Sequence, residues 1–470
     1  MSEFAENKPV EPTPFPSNTS EEKPVNFITL LRNANFRNLF FGQMISQIGD
    51  YFAFLAISIV VATTMASNDA EATGIVSVVM ISIGLPRLIF GILAGVFVDR
   101  WDRRMTMLVS DLVRPALTLA MIPALLSKNL WVVCVIAFLI SAVGTFFIPA
   151  KGAIIPNMVP TEHLTAANAL IQTSSMLGFF IGPGLAGATF ALLGAGNAWI
   201  AFVIDAFSFL VSALAIWLIK MPKEVTQAGP RTAEDLLAAS SGTALGRVWN
   251  ELKVGLKALL LDRTISVLAL VFGLTMLGIG ALNVLWVVFL KSAYGYGPTE
   301  LGWRFAVVDV AFFAGMVLAS VGVGNFLAKL PPKYFIVWGL IITGITMGPI
   351  GFAPDYWFVV GAWFLVGIAV APINTGVTTL MQLVVPNSQL GRVGGGIATV
   401  SETASITSMA LAGVLGALLG FPIVIALSGL MCILAGILAL FGLPGITPKD
   451  KADENRNAFD EVDAQVPQVA

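Results

Sequence analysis

The chain of 470 residues is 57% hydrophobic and only 11% charged, with a mean hydropathy of +0.86 and a net charge of -2. Soluble globular domains carry about a quarter charged residues, so the composition excludes a large soluble domain, and the near-neutral charge argues against nucleic-acid binding. One histidine and two cysteines, Cys134 and Cys432, each inside an apolar run, offer neither a disulfide framework nor the clustered ligands of a metal or nucleophile site.

Residues 1–34 begin with a stretch rich in Pro, Glu, Ser and Asn and read as a disordered tail. Apolar runs of membrane-crossing length follow at roughly 37–65, 73–98, 105–126, 130–149, 166–193, 197–219, 264–290, 299–328, 334–353, 356–385, 391–419 and 421–443. They predict an all-α membrane protein with six spans in residues 35–220 and six in residues 264–443. The long interior loop, 221–263, places Val248, Leu252, Leu256 and Leu259 on one helical stripe, which predicts an amphipathic helix at the membrane surface. Residues 444–470 read as a second disordered tail. With both tails on one side, 21 of the 26 Lys and Arg lie on that side, 2 (Lys128, Lys291) on the other and 3 (Arg87, Arg114, Arg304) within spans. Positive charge gathers in cytoplasmic loops, so both termini are expected in the cytoplasm.

The loop after span 2 is the most charged short stretch between spans: Gly95, Asp99, Arg100, Asp102, Arg103 and Arg104 fall within ten residues. A glycine allows close helix approach, and an anion at a helix N-terminus is favoured by about 0.3 to 1 kcal/mol. Span 11 offers such a start in Gly394, Gly395 and Gly396, whose backbone is open. The expectation is that Asp99, braced by Arg103, holds the start of span 11, a contact that the family resemblance named below implies is a latch shutting the cytoplasmic side; the plainer alternative is a loop that only anchors topology. The same glycine run lacks the Lys-Ser/Thr of a phosphate loop and any preceding strand. Nucleotide binding is therefore not expected.

Each ionised residue left in lipid at mid-span costs roughly 2.5 to 3.5 kcal/mol, so Asp50, Arg87, Asp309 and Glu402 must face water or one another. Asp50 continues a polar stripe of Gln43, Ser46 and Gln47 on span 1, and Glu402 lies among Thr399 and Thr403 on span 11. A carboxylate that passes between wet and drier surroundings can take up and release a proton. Asp50, Asp309 and Glu402 are thus candidate coupling acids, with Arg87 a candidate partner for Asp50. Asp111 and Arg114, three apart on span 3, are expected to pair.

An internal repeat divides the chain. At a constant offset of 226, Val159/Val385, Pro160/Pro386, Ile171/Ile397, Ala186/Ala412, Gly187/Gly413 and Gly194/Gly420 match without a gap. Spans 5 and 11 are then counterparts in two parallel repeats, with the substrate site near the midplane between them.

The loop fits a known signature: Gly95, three residues, Asp99-Arg100, two residues, then Arg103-Arg104. Residues 178–187 are similar to the fifth-span antiporter motif of drug exporters, with Gly178, Gly182, Pro183 and Gly187 in place and Ala186 standing for a glycine. Over residues 35–443 the chain resembles the major facilitator superfamily, and most its bacterial efflux branch of macrolide and enterobactin exporter-like proteins. Asp102 departs from the Gly of many members. The second-half copy of the loop, residues 322–329, has no acid, and the basic fourth-span motif of proton-coupled drug exporters is missing. The resemblance implies a cavity lined by spans 1, 2, 4, 5, 7, 8, 10 and 11, with Asp111, Arg114 and Asp205 on spans 3 and 6 outside it. It further implies a monomeric, cofactor-free exporter in the bacterial inner membrane, moving amphiphilic small molecules by alternating access in exchange for protons or another ion. A siderophore or lysophospholipid exporter or flippase is the nearest alternative; a passive channel or membrane enzyme fits the residues poorly.

Overall fold

The computed structural model describes residues 27–98, 101–160, 163–221, 262–327, 330–385 and 390–447. Residues 1–26 and 448–470 of the two expected tails and the amphipathic helix of the interior loop lie outside these residues, whereas residues 27–34, expected in the disordered first tail, hold a short helix and the start of span 1. Among the described residues, after a short helix, Phe27–Arg32, twelve helices long and apolar enough to cross a membrane follow. They are span 1 (Ala34–Thr64), span 2 (Asp69–Val98), span 3 (Arg103–Leu126), span 4 (Leu130–Ile154), span 5 (Leu164–Leu193) and span 6 (Trp199–Trp217). The second set is span 7 (Arg263–Tyr294), span 8 (Pro298–Leu327), span 9 (Pro332–Met347), span 10 (Tyr356–Val384), span 11 (Leu390–Leu419) and span 12 (Phe421–Gly442). Span 4 runs past Pro149 to Ile154 and so takes in Lys151, which the sequence places in a loop.

Side-chain caps define several starts. Asn33 accepts from the N–H groups of Asn35 and Phe36 ahead of span 1, Asn129 from Trp131 and Val132 ahead of span 4, and Asp262 from Thr264 and Ile265 ahead of span 7. Each satisfies donors that the first helical turn leaves without a partner. The departure at Asp102 has the same explanation. Its carboxylate accepts from the Met105 N–H at 2.7 Å and caps span 3.

Each half is packed in one pattern. Span 1 lies against spans 5 and 6, span 2 against span 4, and span 3 against spans 4 and 6; span 7 lies against spans 11 and 12, span 8 against span 10, and span 9 against spans 10 and 12. Raising each number by six converts the first set into the second, as parallel repeats require. The backbone repeats too. Gly194 ends span 5 at φ 75, ψ 160 and its counterpart Gly420 ends span 11 at φ 81, ψ 157, a left-side conformation open to glycine and costly for other residues.

The halves meet along two seams, span 5 with span 8 and span 2 with span 11, which exchange under the same repeat. The face on which span 1 begins is called here the terminal face. Toward the opposite face one continuous hydrophobic core crosses between halves, joining Phe52, Phe190 and Phe202 to Leu285, Phe289 and Phe305. Toward the terminal face there are two separate cores, one around Phe36, Met107 and Ile216, the other around Leu268, Leu340 and Ala439. The molecule is therefore closed on the opposite face, with its apolar packing parted on the terminal face.

Candidate functional site

Between the halves lies a cavity of about 570 Å³. Its two walls are chemically unlike. The first half contributes Gln47, Asp50, Tyr51, Arg87, Arg114, Thr118 and Asp205 beside Phe54, Phe202 and several aliphatic side chains; the second contributes Asn283, Trp286, Phe305, Asp309 and Trp363 with aliphatic side chains and a single charge.

The charged wall is built around Arg114. Its Nη2 lies 3.2 Å from Asp50 Oδ1 and its Nη1 3.7 Å from Asp111 Oδ1, while Cζ sits 3.9 Å above the Phe209 ring. Asp111 is fully buried, and Asp205, 2% exposed, accepts from Thr118 Oγ1 at 3.4 Å. One guanidinium thus serves two carboxylates and an aromatic face, which its planar fork allows and an ammonium would not. The Asp111–Arg114 pair is present as the spacing predicts, yet two expectations need correction. Asp50 pairs with Arg114, and Arg87, exposed to the cavity, makes no ion pair among the described residues. Spans 3 and 6 also reach the cavity through Arg114, Thr118, Met121, Phe202 and Asp205. Span 1 leaves them room at Gly49, where an added Cβ would lie 2.0 Å from Ser208 Oγ and 2.9 Å from Asp205 Oδ1.

The aromatic wall is a stacked pair, Trp286 and Trp363, with ring centroids 4.7 Å apart and 23° between planes. Phe312 extends it at 5.8 Å from Trp363. The one carboxylate on this wall, Asp309, accepts from Tyr51 Oη at 3.2 Å across the cavity. Glu402 is not among the lining residues. It lies at the span 2–span 11 seam, where a Cβ added at Gly84 would sit 3.5 Å from its Oε1.

The glycines of the fifth span act through space they leave empty. A Cβ at Gly178 would fall 2.8 Å from Gln47 Cβ, and one at Gly182 2.8 Å from Tyr51 Cβ, so two glycines four apart receive two span 1 side chains four apart. On the next face of span 5, a Cβ at Gly187 would lie 2.3 Å from Ala306 Cβ of span 8. Pro183 sits within the helix between these contacts. Sequence reasoning singled out the glycines but passed over Tyr51, Trp286 and Trp363. The matching i, i+4 spacing of Gln47/Tyr51 and Gly178/Gly182 is the signal that would have found the first.

At the terminal face, Asp99 and Arg100 lie outside the described residues. Arg103, 3% exposed, donates to the Ala153 carbonyl at 3.1 Å, and Arg104 Nε to the Ile216 carbonyl at 3.1 Å, so the loop's basic pair caps the ends of spans 4 and 6. An added Cβ at Gly95 or Gly395 would meet nothing within 4 Å, and one at Gly394 only Met381 of its own half. Gly396 is half-buried. Across the molecule, Lys291 Nζ donates to the Ala62 carbonyl at 3.1 Å and lies 3.6 Å from Asp69, tying span 7 to spans 1 and 2.

Two six-helix repeats around a mid-membrane cavity closed on one face describe a transporter. The family model of the Major Facilitator Superfamily matches residues 39–275 and again 268–466, and the chain belongs to that superfamily. It is 28% identical over 392 residues to the multidrug efflux pump Tap of Mycolicibacterium fortuitum, covering 80% of this chain and 89% of Tap. It is 25% identical to macrolide efflux protein A of Streptococcus pyogenes, covering 87% of this chain and 92% of that protein. Among solved structures, a bacterial homologue of the iron transporter ferroportin in an inward-facing state shares the fold at a TM-score of 0.66 and 15% identity, over 87% of this chain and 98% of its own.

Proposed function

We propose that the chain is a proton-coupled exporter of amphiphilic small molecules, working as a monomer in a bacterial inner membrane with both termini cytoplasmic. The observation that carries this reading is the divided cavity: stacked Trp286 and Trp363 offer an apolar body a face, while Asp50, Arg87, Asp205 and Asp309 address a polar head. The relatives named for efflux of drugs and macrolides support the direction and the substrate class. In this reading the terminal face is cytoplasmic and the cavity is poised to load from the cell. Asp50 and Asp309 are the coupling acids within the cavity, and Glu402 a third at the seam. The latch of Asp99 on Gly394, Gly395 and Gly396 forms in the other half of the cycle, when the cytoplasmic side closes, with Arg103 and Arg104 fixing the loop to spans 4 and 6.

The test is uptake of a compound panel that includes a macrolide into everted vesicles, with an imposed pH gradient, a sodium gradient or none. Accumulation driven by the pH gradient and lost in Asp50→Asn or Asp309→Asn is the expected result. Movement in the opposite direction, or uptake indifferent to the pH gradient, overturns the reading. Unchanged pH dependence in Glu402→Gln removes that residue from coupling. A cysteine cross-link between positions 98 and 394 tests the latch, which fails if its yield is the same with and without substrate.

A further inference from the structure

An exchanger that takes a proton one way and a substrate the other must not turn over empty, because an empty return after a proton has been delivered leaks the gradient. The Tyr51–Asp309 bond is placed to prevent this. It joins span 1 to span 8, hence one half to the other, and it lies beside the seam that closes the opposite face, where Gly187 and Gly302 of spans 5 and 8 receive Ala306 and Phe190. Gly182 holds the Tyr51 ring from behind: any side chain there would push it, since a Cβ would come within 3.1 Å of Tyr51 Cγ as well. The fifth-span glycine, the phenol and the carboxylate form one continuous contact from span 5 through span 1 to span 8.

We propose that Tyr51 is the positioning residue that locks the empty, unprotonated transporter with its opposite face shut, by donating to the carboxylate of Asp309. The bond is charge-assisted while Asp309 is ionised. A proton on Asp309, or a substrate donor that takes the carboxylate, releases span 1 from span 8 and permits the turn. The inference rests on the proton-coupled reading given above. The groups around the bond are few. Span 5 carries no titratable residue from Leu164 to Leu193, and span 10 has Tyr356 alone, bonded to the Arg304 carbonyl. On span 8 itself Arg304 pairs with Glu300 a turn and more away. Span 1 supplies Asp50 beside Tyr51, and the facing cavity wall adds Arg87, Arg114 and Asp205.

The experiment uses the full chain, purified and placed in liposomes, with two readouts that need no substrate. The first is proton entry followed by an enclosed pH-sensitive dye. The second is alkylation of Ser77→Cys by a membrane-impermeant maleimide, in a background where the buried Cys134 and Cys432 are alanine; Ser77 is buried at the span 2–span 11 seam against Gly413. In the parent protein, proton entry is expected at the background rate, and alkylation, divided at each pH by that of the same cysteine in denatured protein to remove the thiol's own pH dependence, several-fold faster at pH 6 than at pH 8. Tyr51→Phe keeps the ring against Gly182 and removes only the donor. It is expected to admit protons several-fold above background and to show high alkylation relative to denatured protein at both pH values. Gly182→Ala, which shifts the ring, should move both readouts the same way. Parent-like proton entry or parent-like labelling in a folded Tyr51→Phe protein, judged by an unshifted melting temperature, overturns the lock. If Asp309→Asn still shows pH-dependent labelling, the proton reading itself fails at that residue, an outcome separate from failure at Tyr51.

Discussion

The two walls of the cavity descend from the same six-helix plan, yet they handle polarity in opposite ways. In the first half, spans 3 and 6 push Arg114 and Asp205 through to the cavity and stand Asp111 behind them; in the second half their counterparts, spans 9 and 12, contribute no lining residue. The second wall is instead carried by Trp286, Phe305 and Trp363 with a single carboxylate, Asp309. The difference teaches that the repeat preserves helix packing and leaves the chemistry free. Packing is fixed by small residues at crossings, whereas a cavity side chain answers only to its substrate and its charge partners. Buried ions are costly unless paired, and removing one member costs more than the pair contributes. The first half should therefore be brittle where the second is forgiving.

Arg114→Ala tests that brittleness most severely. It strands buried Asp111 and leaves Asp50 without its 3.2 Å partner, so a loss of about 3 to 5 kcal/mol is expected, read as a large fall in melting temperature of the detergent-purified protein. Gly187→Leu should cost less, about 1 to 3 kcal/mol by overpacking the span 5–span 8 seam. Its effect should appear as faster alkylation of Ser77→Cys, because the closed face is the state it crowds. On the aromatic wall, Trp363 is half-buried where Trp286 lies in the bridging core, so Trp363→Ala should cost folding less than Arg114→Ala and weaken substrate binding. Loss of an aromatic contact worth about 0.5 to 1.5 kcal/mol predicts a KM raised up to roughly tenfold in vesicle uptake. If Trp363→Ala unfolds the protein as readily as Arg114→Ala, the contrast between the walls is wrong. The smallest effect belongs to Asp102. Alanine there should remove about 1 kcal/mol of capping and glycine only a few tenths, a ranking that melting curves of the two variants would check.

The fold was legible because its determinants are local and periodic. Membrane-length apolar runs located all twelve spans within a few residues, and the Gly194/Gly420 match at the 226-residue offset marked a backbone geometry that both halves keep. The site was half legible. The cost of charge in lipid picked out Asp50, Arg87 and Asp309, which all reach the cavity. The same argument could not say that Arg114, and not Arg87, would neutralise Asp50, since that depends on how span 3 is rotated in the bundle. Nor could it place Glu402, whose helix offers two polar sides of which one faces a seam. Tyr51 escaped because a tyrosine in a membrane span costs little and draws no notice until its partner on span 8, 258 residues away, is seen.

The single core that bridges the halves on the opposite face sets an energetic condition on the working cycle. One elementary charge falling through 100 mV delivers about 2.3 kcal/mol, which at about 25 cal/mol per Å² matches the exposure of only about 90 Å² of apolar surface. A single buried aromatic side chain hides more than that, and this core holds Phe190, Phe289 and Phe305 among many others. No ion could pull such a seam open into water unaided. In the proposed ion-coupled cycle the two separate cores of the terminal face would close on each other as the bridging core parts, so that apolar contact is traded almost one for one and an ion need only tip a nearly level balance.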